Sequence, residues 1–378
     1  MWIHFISYCF LSIYTALILW YAYNWFKIKQ PVVRNTVLST PVTIIIPARN
    51  EAENIAACLE SIIKQSFPSD LMEVLVINDA STDNTAEIAE TYTQTHNYIK
   101  HYLLNLDGNE KAHKKRAIEF GVGIAKHPLI VCTDADCSHH ENWLKNIVVI
   151  YETGNYQFIA APVMFNTNSK VSSIFQTLDF LTLQGITGAS VNANFHSMCN
   201  GANIAYTKAA FLKVNGFNGI DDLPTGDDML LMHKIAMAYP GQTTWIKNKE
   251  TITYTDAMPT WRSFFNQRIR WASKATYYSD KSIIAVLFLV YFFNVWLAVL
   301  PVLAIFNTQY WSLWFSIAGI KILVEYVFII PVAAFFNKQN WLWTFPFFQP
   351  IHILYTVISG WLGKFGQYEW KGRKIHKS

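Results

Sequence analysis

The stretch Val42–Ile62, VTIIIPARNEAENIAACLESI, decides the fold of this 378-residue chain. Its opening run, Val42–Ile46, is β-branched throughout and stops at Pro47, whereas Ala52–Gln65 is rich in Ala, Ile and Leu. The first predicts a strand buried on both faces, the second a helix laid against it. The alternation continues with a strand over Glu73–Ile77, helices near Thr85–Thr93 and Lys115–Ala125, and a strand over Leu129–Thr133. Strands separated by helical crossovers specify an α/β domain with a mostly parallel sheet, because parallel neighbours cannot be joined by a tight turn.

In such sheets ligands bind beyond the carboxyl ends of the strands. The positions to inspect are therefore Pro47–Glu51, Asn78–Asp83 and Asp134–Asp136, all acidic or amide-rich. The Gly-rich dinucleotide fingerprint and the phosphate loop with its Gly-Lys-Ser/Thr are both missing, which argues against a dehydrogenase of the usual kind and a P-loop ATPase. Thr133-Asp134-Ala135-Asp136 places two carboxylates one residue apart at the end of an apolar strand. A hard divalent cation bridging two phosphates is the usual occupant of such a pair; a strand-end turn or helix cap is the competing explanation. Cys132, Cys137, His139 and His140 also cluster, but Cys132 lies inside the strand and the spacing is not that of a zinc finger.

Composition supplies the second theme. The chain is 52% apolar and 15% charged, where a globular chain carries about a quarter charged residues. The excess is gathered at Met1–Phe26 and Ile283–Gly363, which are almost free of charge. Residues 1–26 read as a membrane anchor, 40–258 as a soluble domain, 259–281 as an amphipathic interfacial helix, 282–363 as a C-terminal membrane region and 364–378 as a basic tail. Trp2–Phe26 matches the ~20 residues needed to cross a bilayer, and Lys27, Lys29 and Arg34 after it place the domain in the cytoplasm. The C-terminal region divides at polar breaks into Ile283–Phe306, Trp311–Phe336 and Trp341–Gly363. An anchor plus three full spans would leave the tail, with Lys364, Lys371, Arg373, Lys374 and Lys377, on the opposite side. Pro346 and Pro350 break the helical ladder of the third segment, which is therefore expected to be re-entrant or interfacial. Lys321 and Glu325, four apart, share a helix face and are expected to pair. The net charge of +4 is too small for a nucleic-acid binder, and five scattered Cys give no disulfide framework.

VTIIIPARNEAENIAACLESI (42–62), VLVINDASTDNT (74–85), IVCTDAD (130–136), TGDDMLL (225–231) and QRIRW (267–271) stand in the order seen in family-2 glycosyltransferases. The chain resembles that family over the soluble domain and the amphipathic stretch after it. The resemblance implies a GT-A fold that binds a nucleotide-sugar. Position by position, Pro47, Ala48, Arg49 and Glu51 match the loop lining the nucleotide pocket, and Asp79 the carboxylate that recognises uracil. Asn78 stands where many relatives have a second Asp, Asp83 reads as a cap for the next helix, and Lys114 matches a family lysine near the diphosphate. Asp134 and Asp136 match the DxD motif, with Asp136 the direct ligand of Mg²⁺ or Mn²⁺. Asp228, in the Asp227-Asp228 pair, matches the general base, against the alternative that the pair caps the helix Met229–Ala238.

Gln267, Arg270 and Trp271 match QxxRW. On a helix over Thr260–Tyr278 they share one face, with Trp261, Phe264, Phe265, Ile269 and Ala272 on the other, the pattern of a helix with its apolar side on lipid. The resemblance assigns Arg270 to the diphosphate and Trp271 to the acceptor; a basic helix held to acidic lipids explains Arg262 and Lys274 instead. Ser173–Leu183 reads as a further interfacial surface near the acceptor entrance, and Cys199–Asn203 falls on the acceptor side without a catalytic role.

The implied activity is inverting transfer from a UDP-sugar to a lipid or glycan acceptor by an integral membrane protein, its catalytic domain on the cytoplasmic face of a bacterial inner membrane. The thin membrane part and the tail Trp370-Lys371-Gly372-Arg373 favour a lipid acceptor. A processive β-polysaccharide synthase is the alternative. A transport or scaffold protein that binds nucleotides without turnover is a third reading, opposed by the complete set of acidic motifs.

Overall fold

The computed structural model describes residues 1–29, 38–104, 113–195, 198–221, 226–273, 278, 280–365, 368–370 and 373–375. Arg34, Thr225, Lys274, Lys371, Gly372 and Lys377, invoked above, lie outside the described residues. In chain order the elements begin with α1 (Trp2–Lys27), β1 (Val42–Ala48), α2 (Ile55–Ile63), β2 (Met72–Asn78), α3 (Thr85–Thr95), β3 (Ile99–Leu103), α4 (His113–Ile124) and β4 (Leu129–Cys132). Next come β5 (Ser138–His139), α5 (Trp143–Thr153), β6 (Phe158–Ala160), β7 (Val163–Asn166), α6 (Val171–Asn192), β8 (Ile204–Thr207), α7 (Lys208–Lys213) and α8 (Met229–Ala238). The chain closes with β9 (Thr243–Trp245), β10 (Thr253–Asp256), α9 (Trp261–Ala272), α10 (Lys281–Phe306), α11 (Gln309–Phe336), α12 (Phe345–Phe365), β11 (Tyr368–Trp370) and β12 (Arg373–Ile375). Two compact units result, Lys29–Asn166 with Ser197–Asp256, and Met1–Ile28 with Thr167–His196 and Ala257–Ser378. The segment 167–196, read above as part of the soluble domain, thus groups with the apolar helices.

The sheet unit has the order β3-β2-β1-β4-β8-β6-β9, with β1 to β4 parallel and β8 antiparallel to both its neighbours. Val42, Ile44–Ile46, Val74–Ile77 and Leu129–Val131 are all fully buried, the signature of strands covered on both faces. The chain runs outward through β2 and β3 and returns to place β4 on the other side of β1, so the strand order reverses between β1 and β4. That reversal brings the loops after β1, β2 and β4 to one crevice. Helix α2 starts at Ile55, three residues later than the composition predicts. Its leading N–H groups are taken elsewhere: Glu51 N–H donates to Thr85 Oγ1 (2.8 Å) and Ala52 N–H to Asp83 Oδ2 (3.1 Å), tying the β1 loop to the β2 loop. Asp83 caps α3 by accepting from Thr85 N–H at 3.1 Å.

His139 stacks on buried Trp143 (centroids 3.9 Å apart) and bridges Thr133 Oγ1 (3.1 Å) and Thr253 Oγ1 (3.0 Å). Burial pushes its imidazole down from 6.5 to about 3. The folded chain keeps it neutral while the unfolded chain protonates it below 6.5, so its stabilising share is complete above that value and is lost as pH falls toward 3. His139→Gln is expected to flatten the decline of the melting temperature between about pH 7 and 5; an unchanged slope would remove His139 from the account.

Among the described residues three helices are long and apolar enough to cross a membrane: α1, α10 and α11. The third C-terminal segment is not one of them. It opens with a 3-10 turn, Gln339–Thr344, and continues as α12, where Pro346 occupies the first turn without losing a hydrogen bond and Pro350 interrupts the ladder. One face of α12 exposes Phe347, Leu354, Ile358, Trp361 and Leu362, while Gln349, Ile353, Tyr355 and Ser359 are buried. Lys321 and Glu325 of α11 pair at 2.7 Å, and groups from two further helices complete the set: Gln349 of α12 accepts from Lys321 (2.6 Å) and donates to Glu325 (2.9 Å), and Tyr14 of α1 donates to Glu325.

Two expectations for this unit are corrected. The run Ser173–Leu183 is not an exposed surface but the first half of α6, with Ile174, Phe175, Leu178 and Leu181 all buried. On the apolar side of α9, Phe264 is fully buried against protein, whereas Trp261 is 37% exposed. Phe264 forms a core with Phe175 of α6 and Tyr355 of α12, backed by Phe265, Phe348 and Ile351. Packing among these rings gains dispersion contacts for the face of α9 that carries Phe264.

Candidate functional site

In the sheet unit the β1 and β2 loops build one wall. Arg49, partly buried, donates Nη1–H to the Asp79 carbonyl at 2.5 Å and lies 3.6 Å from Asp79 Oδ2. Asn50 and Ala80 sit at positive φ (51° and 47°), which turns both loops sharply back after their strands. The Asp79 carboxylate is buried and its Oδ1 lies 3.3 Å from His113 Nδ1, at the start of α4. Pro47 and Ala48 form the end of β1 beneath this pair, and Glu51 accepts from Asn54 Nδ2 (2.8 Å). Asn78 is buried and accepts from Ser81 N–H (2.9 Å), which shapes the loop that carries Asp79.

The second wall is acidic and is tied together by one lysine. Lys114 Nζ lies 2.7 Å from Asp134 Oδ1 and 3.0 Å from Asp227 Oδ2. Burial alone would lower its pKa, but Asp134 and Asp227, with Asp228 behind them, raise it well above the ordinary lysine value. The neighbouring carboxylates thus favour the charged form of Lys114. Asp228 caps α8, its Oδ1 accepting from Met229 N–H (2.7 Å), and its Oδ2 accepts from Gly201 N–H (3.2 Å). The capping alternative is thus part of the geometry, and the two N–H groups hold the carboxylate in one orientation. A Cβ on Gly201 would come within 3.1 Å of Asp227 Oδ2 and 3.4 Å of both Asp228 Cβ and Lys114 Nζ, so any side chain here would press on the acidic wall.

Asp136 is exposed, accepting from Thr255 Oγ1 at 3.2 Å. Asp134 and Asp136 offer hard carboxylate oxygens, one already facing a cation and one open to solvent, a donor set that fits Mg²⁺ or Mn²⁺. Among the described residues no group of three or more His, Cys, Asp or Glu is gathered as a ready metal cage. The cysteine and histidine cluster is otherwise engaged: Cys132 Sγ meets Tyr206 Oη (3.3 Å), and His139 bridges two threonines.

Pro47, Ala48, Arg49, Glu51, Asp79, Lys114, Asp134, Asp136 and Asp228 all belong to the sheet unit, whereas Gln267, Arg270 and Trp271 belong to the helical unit, on α9. There Trp271 stacks against the Arg268 guanidinium (4.2 Å) and lies 6.0 Å from Phe180 of α6. The sequence reading gave no role to His113, Asp179 or Arg268, named Asp227 only as half of the Asp227-Asp228 pair, and placed Gly201 on the acceptor side without a contact. His113 was hidden in a run of cations, and Gly201 carries no side chain to read. Asp179 did leave a signal, since a lone carboxylate in an apolar helix demands a partner.

The family model described as Glycosyl transferase family 2 matches residues 43–212, and that described as Glycosyl transferase family group 2 matches residues 129–362, more than half of the chain. The chain is 25% identical over 244 residues to the poly-β-1,6-N-acetyl-D-glucosamine synthase of Staphylococcus epidermidis, covering 61% of this chain and 53% of that protein. It is 54% identical over 54 residues, 14% of each chain, to the 4,4'-diaponeurosporenoate glycosyltransferase of Staphylococcus aureus. It spans less than two thirds of the length of the curated relatives it matches. The solved structure of the mannosyltransferase PcManGT from Pyrobaculum calidifontis, in complex with GDP-Man and Mn²⁺, matches 95% of this chain and 98% of its own with a TM-score of 0.63 at 20% identity, a likeness of fold.

Proposed function

The chain belongs to the family-2 glycosyltransferases, and we propose that it moves one sugar, with inversion, from a UDP-sugar to a membrane lipid. The observation that carries this reading is the convergence of Lys114 of α4, Asp134 after β4, and Asp227 and Asp228 at the start of α8, in a chain that also has three helices fit to cross a bilayer. Arg49 and Asp79 line the nucleotide side, and Lys114 meets the diphosphate. Asp134 and Asp136 would hold Mg²⁺ or Mn²⁺, which neutralises charge on the departing nucleotide. Asp228, held by Gly201 and Met229, takes the acceptor hydroxyl proton. The acceptor oxygen then bonds to the anomeric carbon as the bond to UDP breaks on the opposite face, so an α-linked donor gives a β-linked product.

The membrane part supports the same reading. Three crossings, α1, α10 and α11, return the basic tail to the cytoplasmic side set by Lys27 and Lys29, which removes the parity conflict if α12 lies at the interface. Processive polysaccharide synthesis is the second reading, favoured by the longer match to the Staphylococcus epidermidis synthase. Purified protein in detergent, given a panel of UDP-sugars, Mn²⁺ and a total membrane-lipid extract, distinguishes them by mass spectrometry. A lipid carrying one sugar supports the proposal; a ladder of additions, or no sugar transfer, overturns it.

Lys114→Gln is expected to weaken UDP binding by at least about tenfold, because a charge-assisted contact to the diphosphate is lost. Calorimetric titration with UDP and Mn²⁺ checks this, and unchanged affinity would move Lys114 away from the nucleotide.

A further inference from the structure

Within the helical unit an ion pair is buried beside the QxxRW residues. Asp179 of α6 is 8% exposed and Arg268 of α9 is 4% exposed. Arg268 Nη2 lies 2.5 Å from Asp179 Oδ2, Tyr355 of α12 donates to Asp179 Oδ1, and His352 Nε2 stands 3.9 Å from the same oxygen. The guanidinium is sandwiched, 4.8 Å from the Phe264 ring centroid and 4.2 Å from that of Trp271. Its Nε and Nη1 are buried with no hydrogen-bond partner among the described residues.

Buried ion pairs contribute little net stability compared with well-packed apolar residues, and orphaned donors detract further. What such a pair supplies is direction. A planar guanidinium aimed by a carboxylate presents a flat face, and an indole stacked on that face loses its rotational freedom. We propose that Asp179 and Arg268 are positioning residues for Trp271, holding its indole in the orientation that receives the acceptor head group. This rests on the acceptor-side role given to Trp271 above. Tyr355 and His352 complete the device by holding Asp179 from α12, so that α6, α9 and α12 jointly set one ring.

The test uses the full chain in detergent, with Asp179→Asn, Arg268→Lys, Trp271→Phe and the double variants Asp179→Asn/Trp271→Phe and Arg268→Lys/Trp271→Phe. Apparent KM is measured separately for the UDP-sugar and for mixed micelles carrying the total lipid extract. In parallel the tryptophans are labelled with 5-fluorotryptophan, and the Trp271 ¹⁹F resonance is assigned by its loss in Trp271→Phe. Asp179→Asn and Arg268→Lys are each expected to raise the micelle KM about tenfold with donor KM within twofold, to shift or broaden the Trp271 resonance, and to add nothing further once Trp271 is Phe. An unmoved resonance, additive losses, or an equal loss on the donor side overturns the proposal. Arg268→Lys preserves the charge and decides the matter if Asp179→Asn does not fold. A displaced resonance in a protein that transfers no sugar leaves the positioning role standing and removes the transfer reading.

Discussion

Asp228→Asn is expected to lower sugar transfer by about 10²–10⁴-fold, the range for removing a positioned general base, while UDP affinity stays within about twofold. The asymmetry follows from the site. An asparagine is nearly isosteric, its amide oxygen still accepts from Met229 or Gly201 N–H, and the cap on α8 survives. What vanishes is the capacity to take a proton from an acceptor hydroxyl. Lys114 remains between Asp134 and Asp227, so the diphosphate side is undisturbed. Single-turnover transfer and UDP calorimetry on the same preparation separate the two effects. Loss of UDP binding would show that Asp228 supports the nucleotide pocket rather than the chemistry.

Glu325→Ala is expected to destabilise the helical unit by about 3–5 kcal/mol, because it leaves Lys321 charged and uncompensated among apolar helices. Lys321 is 1% exposed, and its other described hydrogen-bond partner, the Gln349 amide, is neutral. Tyr14 and Gln349 lose an acceptor at the same stroke. The double variant Lys321→Met/Glu325→Met removes both charges and is expected to regain most of that loss. Unfolding in mixed micelles with increasing dodecyl sulfate measures both. Equal destabilisation of single and double variants would contradict a charge-pair account.

The strand ends were legible because every constraint on them is local. A β-branched run stopped by Pro47, or the apolar LIVC of β4 followed by an Asp pair, announces itself within a few residues, and the loops after β1, β2 and β4 carry Arg49, Asp79 and Asp134 as expected. The start of α2 was misread because its first N–H groups are claimed by Thr85 and Asp83, some thirty residues on. The neighbours of α9 were misread for a related reason. Its two-faced pattern shows that one face avoids water, yet lipid and a protein core satisfy the same pattern, and only Phe175 and Tyr355 decide between them. Pro346 and Pro350 did point to the odd character of α12, since proline removes a backbone donor wherever it stands.

The amino-acid sequence by itself determined the alternation of strand and helix, the three apolar helices, the acidic motifs and through them the family, since periodicity, length and residue type act over short stretches of chain. The tertiary structure alone decided which groups meet. It set Lys114 between Asp134 and Asp227, turned Asp79 toward His113, closed the Asp179–Arg268 pair beneath Trp271, and gathered residues 167–196 with the apolar helices. Each of these joins residues far apart in the chain, and a charge is settled by whatever the packing of whole elements brings beside it, which no local pattern records.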